Sequence, residues 1–107
     1  MAEIAELTEA GFDAAVASGV TVVDFWATWC GPCKLLGALL ERQVAPSLGD
    51  GAKVCKVNVG DEPGIAARFE VLSIPALIVF RDGVEVARLD GLQKPEAILD
   101  AVRTAQG

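Results

Sequence analysis

The stretch from Asp24 to Lys34, DFWATWCGPCK, holds two cysteines separated by two residues, Cys30 and Cys33. Thiols at this spacing either exchange electrons as a dithiol and a disulfide, or supply half of a four-ligand metal site. An acid, Asp24, lies in the apolar run just before them, where burial raises the energetic cost of a charge. Two thiols and one acid are therefore the groups in this chain whose chemistry needs an explanation.

A structural zinc site needs four ligands, usually from Cys and His side chains. The chain has three Cys and no His, so Cys30, Cys33 and Cys55 cannot complete such a set. Without His, every mechanism that uses imidazole is also excluded. Two buried structural thiols are a further alternative, but Gly31 and Pro32 between them favour a strand-to-helix turn that exposes its first residue. A redox pair fits best, and we expect no metal.

The spacing of the pair has a physical reason. At the start of a helix, Cys30 meets unpaired backbone N–H groups and the positive end of the helix dipole, which stabilise a thiolate. Pro32 fixes the backbone in the first helical turn, where no N–H group is lost. Two intervening residues let Cys33 lie one turn below, close enough to bond Cys30. Lys34 either adds a positive neighbour or is an ordinary solvated lysine.

Length and composition restrict the class of protein. The 107 residues are enough for one domain, residues 1–107, and 52% of them are apolar, which excludes a disordered chain. No apolar stretch approaches the roughly 20 residues that span a bilayer. Fifteen acids against nine bases argue against nucleic acid as a partner. The N-terminus lacks the basic start of a secretory signal, so a cytoplasmic location is expected.

Strand and helix patterns alternate in the order β-α-β-α-β-α-β-β-α. Thr8 is predicted to cap a helix that has Phe12 and Val16 on one face, and the helix after the cysteines is predicted to end or bend near Ala45. The predicted strands are Ile4 to Leu7, Val20 to Trp26, Lys53 to Val59, Ala76 to Phe80 and Val84 to Leu89. Helical crossovers imply parallel strands first, and a hairpin turn at Asp82-Gly83 implies an antiparallel pair afterwards. An α/β fold with a mixed sheet between helices is predicted.

The stretch from Val23 to Lys34 resembles the thioredoxin family, whose W-C-G-P-C core is highly specific. Further matches follow in order over essentially the whole chain: Lys56-Val57-Asn58, Ile74-Pro75, Asp82-Gly83 and Gly91. The resemblance implies the thioredoxin fold, with a central mixed sheet of about five strands sandwiched between about four helices.

The resemblance also implies a function, that of a protein-disulfide reductase and dithiol electron donor. Cys30 would attack the substrate disulfide, and Cys33 would resolve the mixed disulfide. A partner resembling thioredoxin reductase would restore the dithiol, and the protein would carry no cofactor and act as a monomer, away from membranes. Gly31-Pro32 disfavours a dedicated oxidant or isomerase. A binding or chaperone module whose thiols are not used catalytically is the alternative.

A surface carboxylate on an edge strand is the ordinary interpretation of Asp24. If the acid is buried instead, Lys56 would offset part of the cost of burying its charge. The resemblance implies that Asp24 lies below Cys33 and accepts its proton, directly or through water. Pro75 would be cis, which places the Ile74 backbone where an extended substrate adds strand-like hydrogen bonds. Partial core packing is the alternative role for Trp29. The implied docking surface consists of Trp29, Gly31, Pro32, Ile74, Pro75 and Gly91.

The chain departs from the family pattern at three places. Gly37-Ala38 stands where a kinking proline is usual, which predicts a straighter or more mobile helix. Gly60 replaces a common acid, and Ala76 stands where Thr often follows the cis proline. Cys55 is interpreted as a small buried apolar side chain, with a regulatory or metal role left open. None of the three departures from the family pattern touches the redox chemistry directly.

Overall fold

The protein is described by a computed structural model over residues 4–107, in which five strands form one mixed sheet between helices. The strands are β1 (Ala5–Glu6), β2 (Val20–Trp26), β3 (Ala52–Asn58), β4 (Ala76–Arg81) and β5 (Val84–Asp90). The α-helices are α1 (Phe12–Val16), α2 (Gly31–Leu39), α3 (Pro63–Arg68) and α4 (Pro95–Gln106). The predicted fold class and the predicted order of elements are confirmed. In residues 4–107, no helix is long and apolar enough to cross a membrane.

The strand β2 lies at the centre of the sheet, whose order is β1-β3-β2-β4-β5. It runs parallel to β3 and antiparallel to β4. Every residue of β2 except Trp26 is buried, because helices cover both faces of the sheet. The strand is therefore apolar and covered on both faces, as expected, and Asp24 lies in the middle of it.

Side chains of β2 alternate between two apolar layers. Val23 and Phe25 belong to the layer that contains Phe12 of α1 and Ile65 of α3. Val20 and Val22 belong to the opposite layer, and α2 and α4 contribute Leu36 and Ile98 to it. Because alternate residues of a strand share a face, Asp24 points to the α2 side, beneath the helix that starts at the two cysteines.

The prediction that Thr8 caps the first helix is wrong. Helix α1 begins at Phe12 with Gly11 at its N-cap position, and no side chain caps it. The Thr8 hydroxyl instead accepts a hydrogen bond from the Gly11 N–H at 3.4 Å, and the Thr8 carbonyl accepts from the same N–H at 3.2 Å. A threonine hydroxyl accepts the same short-range hydrogen bond from a backbone N–H in turns and at helix starts, so the sequence pattern does not distinguish the two.

The helical element after the cysteines changes geometry along its length. Helix α2 ends at Leu39 and continues as a π-helical segment, Leu40–Val44, and a 3-10 segment, Ala45–Ser47. The sequence predicts that the helix ends or bends near Ala45, ahead of Pro46, and the structure changes there from the π-helical to the 3-10 segment. The π-helical segment starts two residues after Ala38, so the element leaves regular α geometry even without the usual proline.

We expect Gly37→Ala to stabilise the fold. Gly37 lies inside α2, its φ is not positive, and an added Cβ would meet nothing within 4 Å. Alanine loses less conformational freedom in a helix, so the free energy of unfolding should rise by roughly 0.5–1 kcal/mol. Urea unfolding of the two proteins measures the difference.

Gly19→Ala is the matched control for this substitution. Gly19 has φ +70, and a Cβ there would lie 3.1 Å from the Gly51 carbonyl oxygen, so this change should destabilise the protein. A Gly37→Ala protein that unfolds at the same or a lower urea concentration than the wild type would contradict the argument.

Candidate active site

The two cysteines lie where the chain passes from β2 into α2. Cys30 is the N-cap residue of α2 with extended backbone angles, φ −100 and ψ 109, and Gly31 and Pro32 form the first helical residues. The Cys30 sulfur accepts a hydrogen bond from the backbone N–H of Cys33 at 3.2 Å. The sulfur thus faces the unpaired N–H groups of the helix start, and Pro32 lies at a position where its missing N–H costs nothing.

Cys30 and Cys33 are joined by a disulfide, with their Cα atoms 5.3 Å apart, inside the range that such a bond needs. Cys30 is 8% exposed and Cys33 is 2% exposed. Together with Ala27 they form a small apolar cluster against which Ile74 packs. Among residues 4–107, no three Cys, Asp or Glu side chains are grouped so that they could hold a metal ion. The geometry is that of a dithiol and disulfide couple.

Asp24 is a buried acid without a hydrogen-bond partner for one of its oxygens. It is 3% exposed, and its Oδ1 is unpaired within the described part of the chain. Burial raises the pKa of Asp24 to about 7, while the charge of Lys56 lowers it and the charge of Glu6 raises it further. An acid with this pKa both takes up and releases a proton near neutral pH.

A cavity of about 890 Å³, open to solvent, connects Asp24 with the inner cysteine. It gives water a route to the carboxyl group, and Lys34, although exposed, lies on its wall. The residues of the cavity wall that bear on the chemistry are Asp24, Trp26, Cys33, Lys34, Ala38 and Lys56. The expectation that Asp24 lies on the same side as Cys33 agrees with this shared cavity.

Glu6 is a part of this site that the sequence did not reveal. Residues Glu6, Lys56 and Asp24 lie side by side on β1, β3 and β2, because Glu6 pairs with Lys56 and Lys56 pairs with Asp24. Glu6 accepts a hydrogen bond from the Trp26 indole N–H at 3.2 Å, and Lys56 Nζ lies 5.3 Å from the centre of the same ring. In the sequence, only the presence of an acid in the predicted edge strand indicates that Glu6 could influence Asp24.

The loop before β4 brings a second part of the chain to the thiols. The Ile74-Pro75 peptide bond is cis, as the resemblance implied, and Ile74 packs against Cys30 and Cys33. The Pro75 carbonyl accepts a hydrogen bond from the Gly91 N–H at 2.8 Å. Gly91 has φ +80, a conformation that favours glycine. Ile74 therefore lies against the disulfide, while Pro75, which is buried, and Gly91 are joined next to it.

Trp29 lies at the surface next to the disulfide. Its side chain is 71% exposed, so the alternative of partial core packing is not what the structure has. The indole lies close above Gly60, where an added Cβ would be 3.0 Å from two ring atoms. Gly31 and Pro32 are also exposed. Gly60 has no side chain and thus leaves room for the tryptophan ring.

Comparison with known proteins decides the family. The family model described as Thioredoxin matches residues 3–104. The chain belongs to the thioredoxin family. Thioredoxins of Staphylococcus aureus strains Mu50 and MW2 are each 46% identical to it over 99 residues, which is 92% of this chain and 94% of each relative. A mutant thioredoxin from Halobacterium salinarum NRC-1 has a TM-score of 0.88 at 29% identity, covering 98% of this chain and 92% of that one.

Membership of the thioredoxin family, together with the paired cysteines, gives the function. The protein is a protein-disulfide reductase whose redox-active centre is the Cys30–Cys33 pair. Its substrates are disulfides, and a reductase partner returns the pair to the dithiol form. A binding module with unused thiols is not favoured.

The third cysteine of this thioredoxin-family protein lies away from the site. Cys55 is 3% exposed and belongs to the apolar layer on the α1 and α3 side of the sheet, together with Phe12 and Val57. Burial raises the pKa of the Cys55 thiol, while Lys53 lowers it, so its reactive thiolate form is disfavoured. These observations support the prediction of a small buried apolar side chain.

We expect limited alkylation of the reduced protein to label Cys30 first. Cys30 is the most exposed of the three cysteines, and its sulfur lies at the helix start, which favours the nucleophilic thiolate. Treatment with substoichiometric iodoacetamide at neutral pH, followed by peptide mass spectrometry, gives the order of labelling. Alkylation in urea is the control, since all three thiols then react at similar rates. Faster labelling of Cys33 or Cys55 in the folded protein would reverse the assignment.

Proposed function

We propose that Cys30 is the attacking thiol and that Cys33 completes the reaction. The Cys30 thiolate attacks one sulfur of a substrate disulfide, a Cys30–substrate disulfide forms, and the first substrate thiolate leaves. Cys33 then attacks the Cys30 sulfur, the second substrate thiolate leaves, and two electrons have passed to the substrate. The observation that carries this proposal is the Cys30 sulfur at the N-cap of α2, hydrogen-bonded to the Cys33 N–H. Thioredoxins are themselves a standard example of a thiolate stabilised in this way.

Asp24 is proposed to take the proton of Cys33 in the second step. Cys33 is 2% exposed and shares the cavity with Asp24, so its proton has few other acceptors. Water in the cavity would carry the proton between the two groups. Because the pKa of Asp24 is about 7, the carboxylate is available near neutral pH and is a stronger base than an ordinary Asp. The positive charge of Lys56 favours the carboxylate form of Asp24, whereas the negative charge of Glu6 disfavours it.

The docking surface for protein substrates is proposed to surround the disulfide. Ile74 packs on the cysteines, and its backbone would pair with an extended segment of the substrate. Trp29, at 71% exposure, would contact side chains that flank the substrate disulfide. Lys34 would add a positive charge at the edge. The proposed docking residues are Trp29, Gly31, Pro32, Ile74, Pro75 and Gly91.

The proposal extends to the setting in which the protein works. A monomer in a reducing cytoplasmic compartment suits a general dithiol donor, and the net charge of −6 does not suit nucleic acid. The partner would be an enzyme of the thioredoxin-reductase type that draws electrons from NADPH. Turnover with NADPH and a panel of such reductases would identify the one that accepts this protein.

Reduction of insulin by dithiothreitol tests the proposed roles. The wild type should accelerate the precipitation of reduced insulin, whereas Cys30→Ser should leave only the rate of dithiothreitol alone, because no mixed disulfide forms. Cys55→Ser is the matched control, a thiol removed from the core outside the site, and should keep the wild-type rate. An active Cys30→Ser protein would refute the role of Cys30, and an inactive wild type would favour a binding or chaperone module.

A further inference from the structure

The loop from Val71 to Ile74 connects α3 to the cis peptide bond, and β5, together with Gly91 just after it, contacts the chain at both ends of this loop. After the loop, the Gly91 N–H donates to the Pro75 carbonyl at 2.8 Å. Before the loop, the Arg88 guanidinium donates to two backbone carbonyls, that of Phe69 at 2.6 Å through Nη2 and that of Glu70 at 3.4 Å through Nη1.

The two carbonyls that Arg88 contacts belong to the C-terminal end of α3. Glu70 has φ +53, and the Glu70 and Val71 N–H groups donate back to Ala67 and Ala66, which closes the helix with a left-handed turn. The carbonyls of Phe69 and Glu70 lie beyond the last helical bonds and need donors from elsewhere. A positive guanidinium at the negative end of a helix is also electrostatically favourable.

Arg88 is itself held in place. The Glu85 carboxylate accepts from Arg88 Nε at 3.2 Å and from Nη2 at 3.1 Å, which fixes the plane of the guanidinium. The Phe69 ring packs on Phe12 and Phe80, with ring centres 5.2 Å from each, so the backbone that Arg88 contacts is anchored in the core. Arg88 therefore joins an edge strand to a rigid helix end.

Between these two anchors the loop is largely at the surface. Val71 packs against the core, but Leu72 is 95% exposed and Ser73 is exposed. We propose that Arg88 is a positioning residue for substrate docking: by fixing the start of this loop, it presents the Ile74 backbone in one place beside the thiols. This inference rests on the proposed role of Ile74 in docking. Without Arg88 the loop would have to be ordered when a substrate binds, which weakens binding.

Arg88→Ala tests the inference through a protein substrate and a small one. For insulin, with dithiothreitol as the reductant, we expect KM to rise about five- to tenfold with little change in kcat, because the loop is ordered only on binding. The rate with hydroxyethyl disulfide, which is too small to contact the loop, should stay at the wild-type value. Amide hydrogen exchange at Glu70 and Val71, whose N–H groups are hydrogen-bonded to Ala67 and Ala66 at the start of the loop, should become faster.

Arg103→Ala is the matched control, because Arg103 also pairs with an acid three residues earlier, Asp100, but is exposed on α4 away from the loop. It should change neither KM nor loop exchange. Arg88→Lys should give a smaller rise in KM, since an ammonium group keeps the charge but lacks the planar fork with which Arg88 contacts both carbonyls and Glu85. If Arg88→Ala does not fold, the KM of Arg88→Lys tests the inference.

The inference is overturned if the KM for insulin is unchanged in the Arg88 variant that folds. It is also overturned if Arg103→Ala raises this KM equally, or if the Arg88 variant loses activity with hydroxyethyl disulfide as much as with insulin. Failure of the proposed function is a different result, because the wild type itself would then not reduce insulin.

Discussion

Replacing Cys33 with Ser should turn the protein from a catalyst into a trap for its substrates. Cys30 keeps its place at the N-cap of α2, so it still attacks a substrate disulfide and forms a mixed disulfide. The second attack requires a sulfur nucleophile one turn into the helix, and a serine hydroxyl does not attack a disulfide at neutral pH. Catalytic reduction of insulin should therefore stop, while a covalent adduct accumulates.

Non-reducing electrophoresis and intact-mass measurement detect this adduct. Reduced Cys33→Ser, freed of dithiothreitol and mixed with insulin, should gain the mass of an insulin chain, and added dithiothreitol should release it. The double variant Cys30→Ser/Cys33→Ser is the control and should form no adduct, because Cys55 is buried. An adduct through Cys55, or continued turnover by Cys33→Ser, would show that the roles of the thiols are different from those proposed.

Asp24→Asn should stabilise the protein strongly at pH 8. The pKa of Asp24 is about 7 in the folded protein and 3.8 in the unfolded reference, so between these values the native state binds more protons. Stability then falls as pH rises through this window, and it is lowest above the folded pKa. At about 1.36 kcal/mol per pKa unit, the difference between 7 and 3.8 amounts to roughly 4 kcal/mol. Asn carries no charge, so it avoids this loss.

Urea unfolding at pH 8 and at pH 4 measures this effect. The Asn variant should gain most of the roughly 4 kcal/mol at pH 8 and little at pH 4, where the wild-type acid is protonated in the folded protein. Asp50→Asn is the control, an exposed acid in the turn before β3, and should change stability little at either pH. An Asn variant that is no more stable than the wild type at pH 8 would contradict the burial argument.

The same variant should be slower in the second chemical step. Without the carboxylate, Cys33 loses its proposed proton acceptor in the cavity, so the mixed disulfide should persist longer before Cys33 resolves it. Single-turnover experiments, quenched with acid and analysed by mass, follow the mixed disulfide directly. If the variant is more stable but resolves the mixed disulfide at the wild-type rate, Asp24 destabilises the folded protein and has no catalytic role.

The chemistry of the site follows from the amino-acid sequence alone. Cys30 and Cys33 are three positions apart at a strand-to-helix junction, and this short-range pattern specifies both the disulfide spacing and the N-cap position of the first thiol. The lack of His excludes imidazole chemistry on composition alone. The order of strands and helices is also predictable, because hydrophobic periodicity is local to each element.

Helix boundaries are less predictable where the same short-range hydrogen bond can form either in a turn or at a helix start. The pattern predicts that Thr8 caps α1, but its hydroxyl serves a turn and the helix starts at Phe12. The change from α to π geometry at Leu40 likewise has no recognisable sequence signal. In both places, competing backbone hydrogen-bond patterns differ by a small free energy that neighbouring elements decide.

The distant residues that act on the site are fixed by tertiary packing. The strand order β1-β3-β2 aligns Glu6, Lys56 and Asp24 in one row, and the two charges in that row adjust the pKa of the buried acid. In the same way, Arg88 reaches the end of α3, and Gly60 lies beneath Trp29. These contacts join residues that are far apart in the chain and depend on strand register and packing. Local sequence patterns describe each element separately, whereas the distances between charges on different elements are set only when the elements pack together.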